Sequence, residues 1–266
     1  MSEAPWRERL EAVVRQAGEH LAASFERLGE DAVERKATAI DLVTPLDRES
    51  QALLEAGLRR EFPGEAILAE EDAGARRAAR GPLWLVDPLD GTTNFVHGVP
   101  LFTISVARVR DGSLDRGMIY APCLGELYWC ARGAGAWRGS QRLAVSRRAA
   151  LQDALLCSGF PYDIRTEPHN NLREWSHLAR RCRGLRRTGA ASLDLAWVAA
   201  GRFDGFWEFR LGPWDLAAGA LMVQEAGGSL TDPRGGTDFL WQGDVVASNG
   251  TLHAQLLQAL AEAQNA

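Results

Sequence analysis

The chain has 266 residues, 46% of them hydrophobic, and a formal net charge of -5 at pH 7, enough apolar material for one large domain or two small ones with a substantial core. The acidic balance argues against a general nucleic-acid binder and suits the capture of cations. No apolar run approaches the roughly 20 residues that a bilayer span needs, and the N-terminal MSEAPWRERLEA lacks the apolar stretch of a secretion signal, so a cytoplasmic protein without membrane contact is expected.

Apolar positions at helical spacing from Trp6 to Leu28 predict a long amphipathic helix ended by Gly29. Thr44, Pro45 and Asp47 stand as cap, first and third residue of a second helix that runs to about Glu61, where Phe62, Pro63 and Gly64 stop it. A strand at about Ala66 to Ala69 delivers Glu70 and Glu71, and an arginine-rich loop over 73–82 is expected to be exposed. Leu83 to Val86 reads as a buried strand that stops at Asp87, because Pro88 fixes its φ and has no N–H to give. The turn brings Asp90 back towards Asp87, and Gly91, Thr92, Thr93 and Asn94 follow as a helix start. From Thr103 to Trp137 short alternating segments, punctuated by Asp111-Gly112, Pro122, Gly125 and Gly133, predict an antiparallel meander.

Beyond Val145 the pattern becomes αβ alternation. Strands are expected near Ala154–Cys157, Phe203–Phe209 and Val245–Ser248, and helices near Asn170–Arg181, Ala190–Ala200, Leu216–Ala226 and Leu252–Ala263. The chain is therefore read as two subdomains, an α+β part over 1–145 and an α/β part over 146–266. Arg180–Arg187 lacks interleaved aromatics and reads as a solvated helix end rather than a nucleic-acid patch. Gly133, Gly135 and Gly139 miss the spacing of phosphate-binding loops and read as hairpin turns. Cys123, Cys130, Cys157 and Cys182 show neither CxxC pairing nor zinc spacing, so packed thiols without disulfides are expected. There is no GxSxG elbow, and the histidines show no metal-ligand spacing. Any chemistry must rest on carboxylates.

The stretch WLVDPLDGTTNF, Trp84 to Phe95, sets two carboxylates, a turn and a hydroxyl beside a helix start, where a cation and a phosphate oxygen could lie side by side. It resembles the signature of the inositol monophosphatase family, which hydrolyses phosphate monoesters with magnesium and is lithium-sensitive in many members. Glu70 and Glu71 in ILAEED, Trp214 and Asp215 in PWDLAAGALMVQEAGG, Lys36 and Asp47 in KATAIDLVTPLD, and the segment RRTGAASLDLAWVAAGRFDGFWE resemble its other patterns, from about Val33 to about Gly228. Lys36 is the only lysine, which hints that a compact ammonium is wanted there.

The resemblance implies a layered αβαβα sandwich of the sugar-phosphatase type, with an antiparallel sheet in the first part and a mixed sheet in the second, and a homodimer. It implies two or three Mg2+ ions, one held by Glu70, Asp87 and the Leu89 carbonyl, another by Asp87, Asp90 and Asp215. It makes Thr92, paired with Asp47 as proton acceptor, the group that orients the attacking water. Gly91 and Thr92 would cradle the phosphate beside Leu89, Asp90 and Asp215, while Glu208 and the turn at Gly189, Ala190 and Ala191 would hold substrate hydroxyls. Structural readings stand beside these: Thr44 and Asp47 resemble a capping box, Asp215 could cap a helix beginning at Leu216, and Glu71 could be a solvated neighbour of Glu70. Many bacterial members carry glycine two places after the glutamate and arginine shortly before Trp-Asp, where this chain has Arg210, then Gly212 and Pro213. The substrate therefore stays open among inositol monophosphate, fructose 1,6-bisphosphate, histidinol phosphate and nucleoside 3',5'-bisphosphates. A regulatory or scaffolding protein that keeps the fold and acts through a partner is the reading from another class.

Overall fold

Helical periodicity builds the first layer. Helix α1 (Ala4–Ser24) buries Leu10, Val13, Val14, Ala17 and Leu21 along one stripe. It ends earlier than the pattern suggested, because Glu26 takes a left-handed φ of 63° that no helix continues through. In this computed structural model residues 4–27, 33–36, 38, 41–71 and 81–264 are described. Gly29 and residues 73–80 of the arginine-rich loop lie outside them. A short pair, β1 (Glu34–Arg35) and β2 (Leu42–Val43), leads to helix α2 (Pro45–Glu61). As expected, Thr44 caps α2 and Pro45 opens it: Thr44 Oγ1 accepts from the Leu46 N–H and Asp47 returns to the Thr44 N–H.

Seven strands stand side by side in chain order. They are β3 (Ala66–Ala69), β4 (Leu83–Asp90), β5 (Thr103–Arg110), β6 (Ser113–Ala121), β7 (Glu126–Ala131), β8 (Gly135–Arg138) and β9 (Gln141–Arg142), with the short helix α3 (Thr92–Val96) between β4 and β5. Strands β4 to β9 pair antiparallel, but β3 runs parallel to β4, so this sheet is not wholly antiparallel. Strand β4 also does not stop at Asp87. It runs through Pro88 to Asp90 because the register with β5 shifts between Asp87 and Asp90, which removes the ladder bond that proline could not make.

The second sheet is mixed and five-stranded. Strands β10 (Leu155–Ser158), β11 (Gly184–Arg186), β12 (Gly205–Glu208), β13 (Ser229–Thr231) and β14 (Val245–Ser248) lie in the order β11-β10-β12-β14-β13. The second half of the arginine run is thus an edge strand rather than a helix end, held by parallel pairing with β10 and by Leu185 in the apolar layer. Helices α4 (Leu172–Ala179), α5 (Ala191–Ala199), α6 (Pro213–Glu225), α7 (Phe239–Gln242) and α8 (His253–Gln264) complete the chain. Helix α6 begins three residues before the expected Leu216, since Pro213 fits a first helical position.

The layers follow the two-residue alternation of strand side chains. Trp84 and Val86 face α1 and α2, whereas Leu85 faces α5 and α6, which fill the space between the sheets. Phe206 points into that same central layer, and Trp207, its neighbour, packs outward with Leu256 and Leu260 of α8. The result is the αβαβα sandwich that the family resemblance implies. All four cysteines are free thiols, Cys130 and Cys157 buried among apolar neighbours.

Close approach of the two central helices depends on Gly219 of α6, where a Cβ would stand 2.4 Å from Leu195 Cβ of α5. Replacing Gly219 by Ala should lower the unfolding free energy by about 1–3 kcal/mol. Urea denaturation reads this as a lower midpoint at constant slope, and an unchanged midpoint would show that the helices part without cost.

Candidate active site

The bulge in β4 aims its two aspartates. Asp87 Oδ1 accepts from the Leu89 N–H at 3.0 Å, and the Pro88 carbonyl accepts from Ser50 Oγ of α2 at 2.7 Å, which fastens the turn from below. Gly91 then takes a φ of 93°. A Cβ on it would meet the Leu101 carbonyl at 3.0 Å and the Gly189 carbonyl at 3.3 Å, so both backbone conformation and space require glycine. The chain thereby enters α3 with Thr92 directed back at α2, and Thr92 Oγ1 lies 2.9 Å from Asp47 Oδ1 and 3.0 Å from the Leu89 carbonyl oxygen.

Asp47 holds both of its expected positions at once. Its Oδ2 accepts from the Thr44 N–H at 2.8 Å and from Thr44 Oγ1 at 2.7 Å, while Oδ1 remains for Thr92. Capping α2 and bonding Thr92 are therefore not alternatives. Asp47 is 1% exposed and lies behind Thr92 rather than in the cavity wall. Burial pushes its carboxyl up against the opposing bonds from Thr44 and Thr92.

Three elements bring carboxylates together: Glu70 follows β3, Asp87 lies in β4, and Asp215 is the third residue of α6. One oxygen from each lies within 4.8 Å of the others. Asp215 also accepts from the Gly212 N–H at 2.7 Å, so it caps α6 from the third position rather than from before Leu216. Asp90 is not part of this tight triangle. Its Oδ2 accepts from the Ser192 N–H at 2.8 Å and Ser192 Oγ at 2.6 Å, and its Oδ1 from the Ala191 N–H at 3.2 Å, which seats it on the start of α5. It still stands in the same cavity, and its charge acts on Asp87 and Asp215. Lys36 Nζ bonds Glu70 at 2.7 Å and Glu71 at 2.5 Å. Glu71 is thus engaged by Lys36, and its N–H donates to Gln51 at 3.2 Å.

The electrostatics favour a cation. Burial, then repulsion among Glu70, Asp90 and Asp215, raises Asp87 well above the usual carboxylate range, and burial with the charges of Glu70 and Asp90 does the same to Asp215. Burial pushes Glu70 up to about 7 despite the Lys36 ammonium. Burial raises Asp90 too, although four hydrogen bonds oppose it. Hard carboxylate oxygens, those of Asp87 and Asp90 buried and those of Glu70 and Asp215 half-buried, are the donors that magnesium takes, and the residues present fit such an ion, with the Lys36 ammonium offsetting only part of their charge.

Above the carboxylates opens a cavity of about 720 Å³. Leu89, Gly91 and Thr92 line it together with Gly189, Ala190, Ala191 and Glu208. Glu208 is 8% exposed, and its carboxylate has no hydrogen-bond partner among the described residues, so its oxygens are left for a ligand. The walls also include Arg210, which the sequence showed only as a departure from the family pattern, and residues that sequence reasoning missed: Tyr162, Arg187 and Asp194. Their signal was positional, since the segment carrying Tyr162 leaves the C-terminal end of β10, where sheets with parallel strands place their ligands.

Comparison with known proteins agrees with this geometry. A sequence model of the inositol monophosphatase family matches residues 3–265. A Pseudomonas aeruginosa protein named Nus factor SuhB is 44% identical over 252 residues, covering 92% of each chain. An inositol-1-monophosphatase of Mesorhizobium japonicum is 42% identical over 244 residues, covering 92% of this chain and 91% of its own. The crystal structure of extragenic suppressor protein suhB from Bartonella henselae superposes with a TM-score of 0.87 at 37% identity, over 96% of this chain and 97% of that one.

Burial, then the charges of Asp194 and Asp90, raises Glu208 from its ordinary 4.5 to about 8. The folded protein therefore holds this proton more tightly than the unfolded chain, and the associated stability is whole below pH 4.5 and lost as pH rises through about 8. Replacing Glu208 by Gln should flatten that fall in thermal melts followed across the window; a variant with the original pH slope would contradict the assignment.

Proposed function

The chain belongs to the inositol monophosphatase family, and from that premise we propose that it hydrolyses inositol monophosphate to inositol and phosphate with magnesium as its cation. The observation that carries the reading is the convergence of Glu70, Asp87 and Asp215 next to a threonine hydroxyl that is bonded to a buried aspartate. We assign Glu70, Asp87, Asp90, Asp215 and the Leu89 carbonyl to hold two or three Mg2+ ions. When bound, such ions supply electrostatic stabilisation of the phosphoryl oxygens and make water more acidic.

The chain's own groups do the rest. Thr92 Oγ1 donates to Asp47 Oδ1 and so turns a lone pair towards water in the cavity. A proton leaving that water passes to Thr92 Oγ1 as Thr92 passes its own to Asp47 Oδ1, whose raised pKa suits an acceptor. The N–H groups of Gly91 and Thr92 stand where a helix start lacks internal partners and would donate to the phosphate oxygens. Glu208, with Gly189, Ala190 and Ala191, would take the hydroxyls of the polyol, since its oxygens have no competing donor. The same arrangement would serve related small phosphate esters, and the leaving group is what Glu208 discriminates. We further assign 1–145 and 146–266 as the two parts that meet at the cavity, a homodimer as the working assembly, and the cytoplasm as its place.

A second reading is a regulatory role through a partner surface, favoured by a relative at 44% identity that is named a Nus factor. Turnover separates the two: magnesium-dependent partner binding without phosphate release from any ester would favour regulation.

Phosphate release from a panel of esters, with magnesium and with a chelator, tests the first reading. Inositol 1-phosphate should be the best substrate, and chelation should abolish its turnover. Asp47→Asn should lower kcat by about 10²–10⁴-fold. Unchanged kcat in that variant would remove Asp47 from the reaction.

A further inference from the structure

Arg210 adopts a backbone conformation that the catalytic residues do not require. It lies two places after Glu208 with a φ of 63°, a left-handed value that glycine takes freely and other residues take at a cost. Such strain persists where the surroundings over-determine it. Here they do. The Arg210 N–H donates to Asp244 Oδ1 at 3.0 Å, and its guanidinium reaches Asp163 Oδ2 at 2.6 Å and Glu167 Oε2 at 3.3 Å.

Those two carboxylates belong to the segment 159–167 that follows β10, whose residues Gly159, Phe160, Pro161 and Tyr162 all line the cavity. Gly159 lies so near Glu208 that a Cβ would stand 2.1 Å from Oε1. On the other side of the mouth, the Tyr162 carbonyl accepts from Thr38 Oγ1 at 3.0 Å. The Tyr162 side chain is exposed at the rim, and its phenol lies within electrostatic reach of Glu70, Asp215 and Asp90. The segment is therefore held at Tyr162, Asp163 and Glu167, with a hydroxyl donor at the rim of the cavity that the carboxylates line.

We propose that Arg210 is a positioning residue for substrate recognition: through Asp163 and Glu167 it tethers the segment so that the Tyr162 phenol overhangs the cavity and donates a hydrogen bond to a phosphoryl oxygen of the bound ester. The inference rests on the cavity being a phosphate-ester site. Glycine at this position would relieve the backbone and release the segment together, so the exchange of residue alters recognition without touching the metal ligands.

Arg210→Gly is the direct test, because glycine accepts the φ and the fold should be kept. With inositol 1-phosphate and saturating magnesium, KM should rise about fivefold while kcat stays within about twofold, the split expected when a contact is made equally in ground and transition states. Asp163→Asn with Glu167→Gln should give the same rise, and adding Arg210→Gly to that pair should give no more. Tyr162→Phe should raise KM alike. Wild-type KM in Arg210→Gly or in Tyr162→Phe, or a full second rise in the combined variant, would overturn the proposal. Amide exchange over 160–167 reads the tether without turnover and should be about tenfold faster in Arg210→Gly; unchanged exchange would also overturn it. Should the wild type hydrolyse no ester at all, the functional reading falls and with it the role of the phenol, while the exchange rates still decide the tether.

Discussion

Concentrated negative charge inside the protein is the constraint on which the rest of this structure depends. Glu70, Asp87 and Asp215 come from three different elements and meet within 4.8 Å, with Asp90 close behind. Left to themselves, buried carboxylates protonate or separate. The fold prevents separation, because each is fastened: Asp87 by the Leu89 N–H, Asp215 by the Gly212 N–H and Asp90 by the first amides of α5, while Glu70 is held by the Lys36 ammonium. Their pKa values rise as a consequence, and a divalent ion is the economical way to satisfy them.

That constraint also explains the architecture around the site. Strand β4 lies inside the large sheet, and its bulge turns two aspartates to the same side, which a regular strand would not do for residues three apart. Helix α6 lies between the sheets and presents Asp215 from its first turn, where a carboxylate is favoured by the unpaired amides. Helix α2 contributes from beneath, capping itself with Asp47 and lending that residue's second oxygen to Thr92. Helix starts thus do two tasks with one carboxylate. Lys36 supplies the ammonium next to Glu70 and Glu71, which lets Glu70 sit at the edge of the group.

Much of this was legible in the residues. Thr44, Pro45 and Asp47 mark the start of α2, a continuous apolar run marks the first half of β4, and alternation marks β5 to β8, because local chemistry alone decides those features. The carboxylates could be gathered only through likeness to a family, since Glu70 and Asp215 are 145 positions apart and no periodicity relates them. Some readings went astray for physical reasons, and one residue showed no partners. Pro88 looked like the end of a strand, but a bulge absorbed its missing N–H. The arginine run hid a three-residue edge strand whose evidence lies in its partner β10 rather than in itself. Arg210 was visible only as a departure, because its partners Asp163 and Glu167 sit in a segment without periodicity and more than 40 residues upstream.

The most direct measurement of the central claim is anomalous diffraction from crystals soaked in manganese, which binds as magnesium does through hard oxygen ligands. The account predicts a strong peak among the carboxylates of Glu70, Asp87 and Asp215, with a further one towards Asp90. Density confined to the protein surface, and none among those side chains, would contradict it.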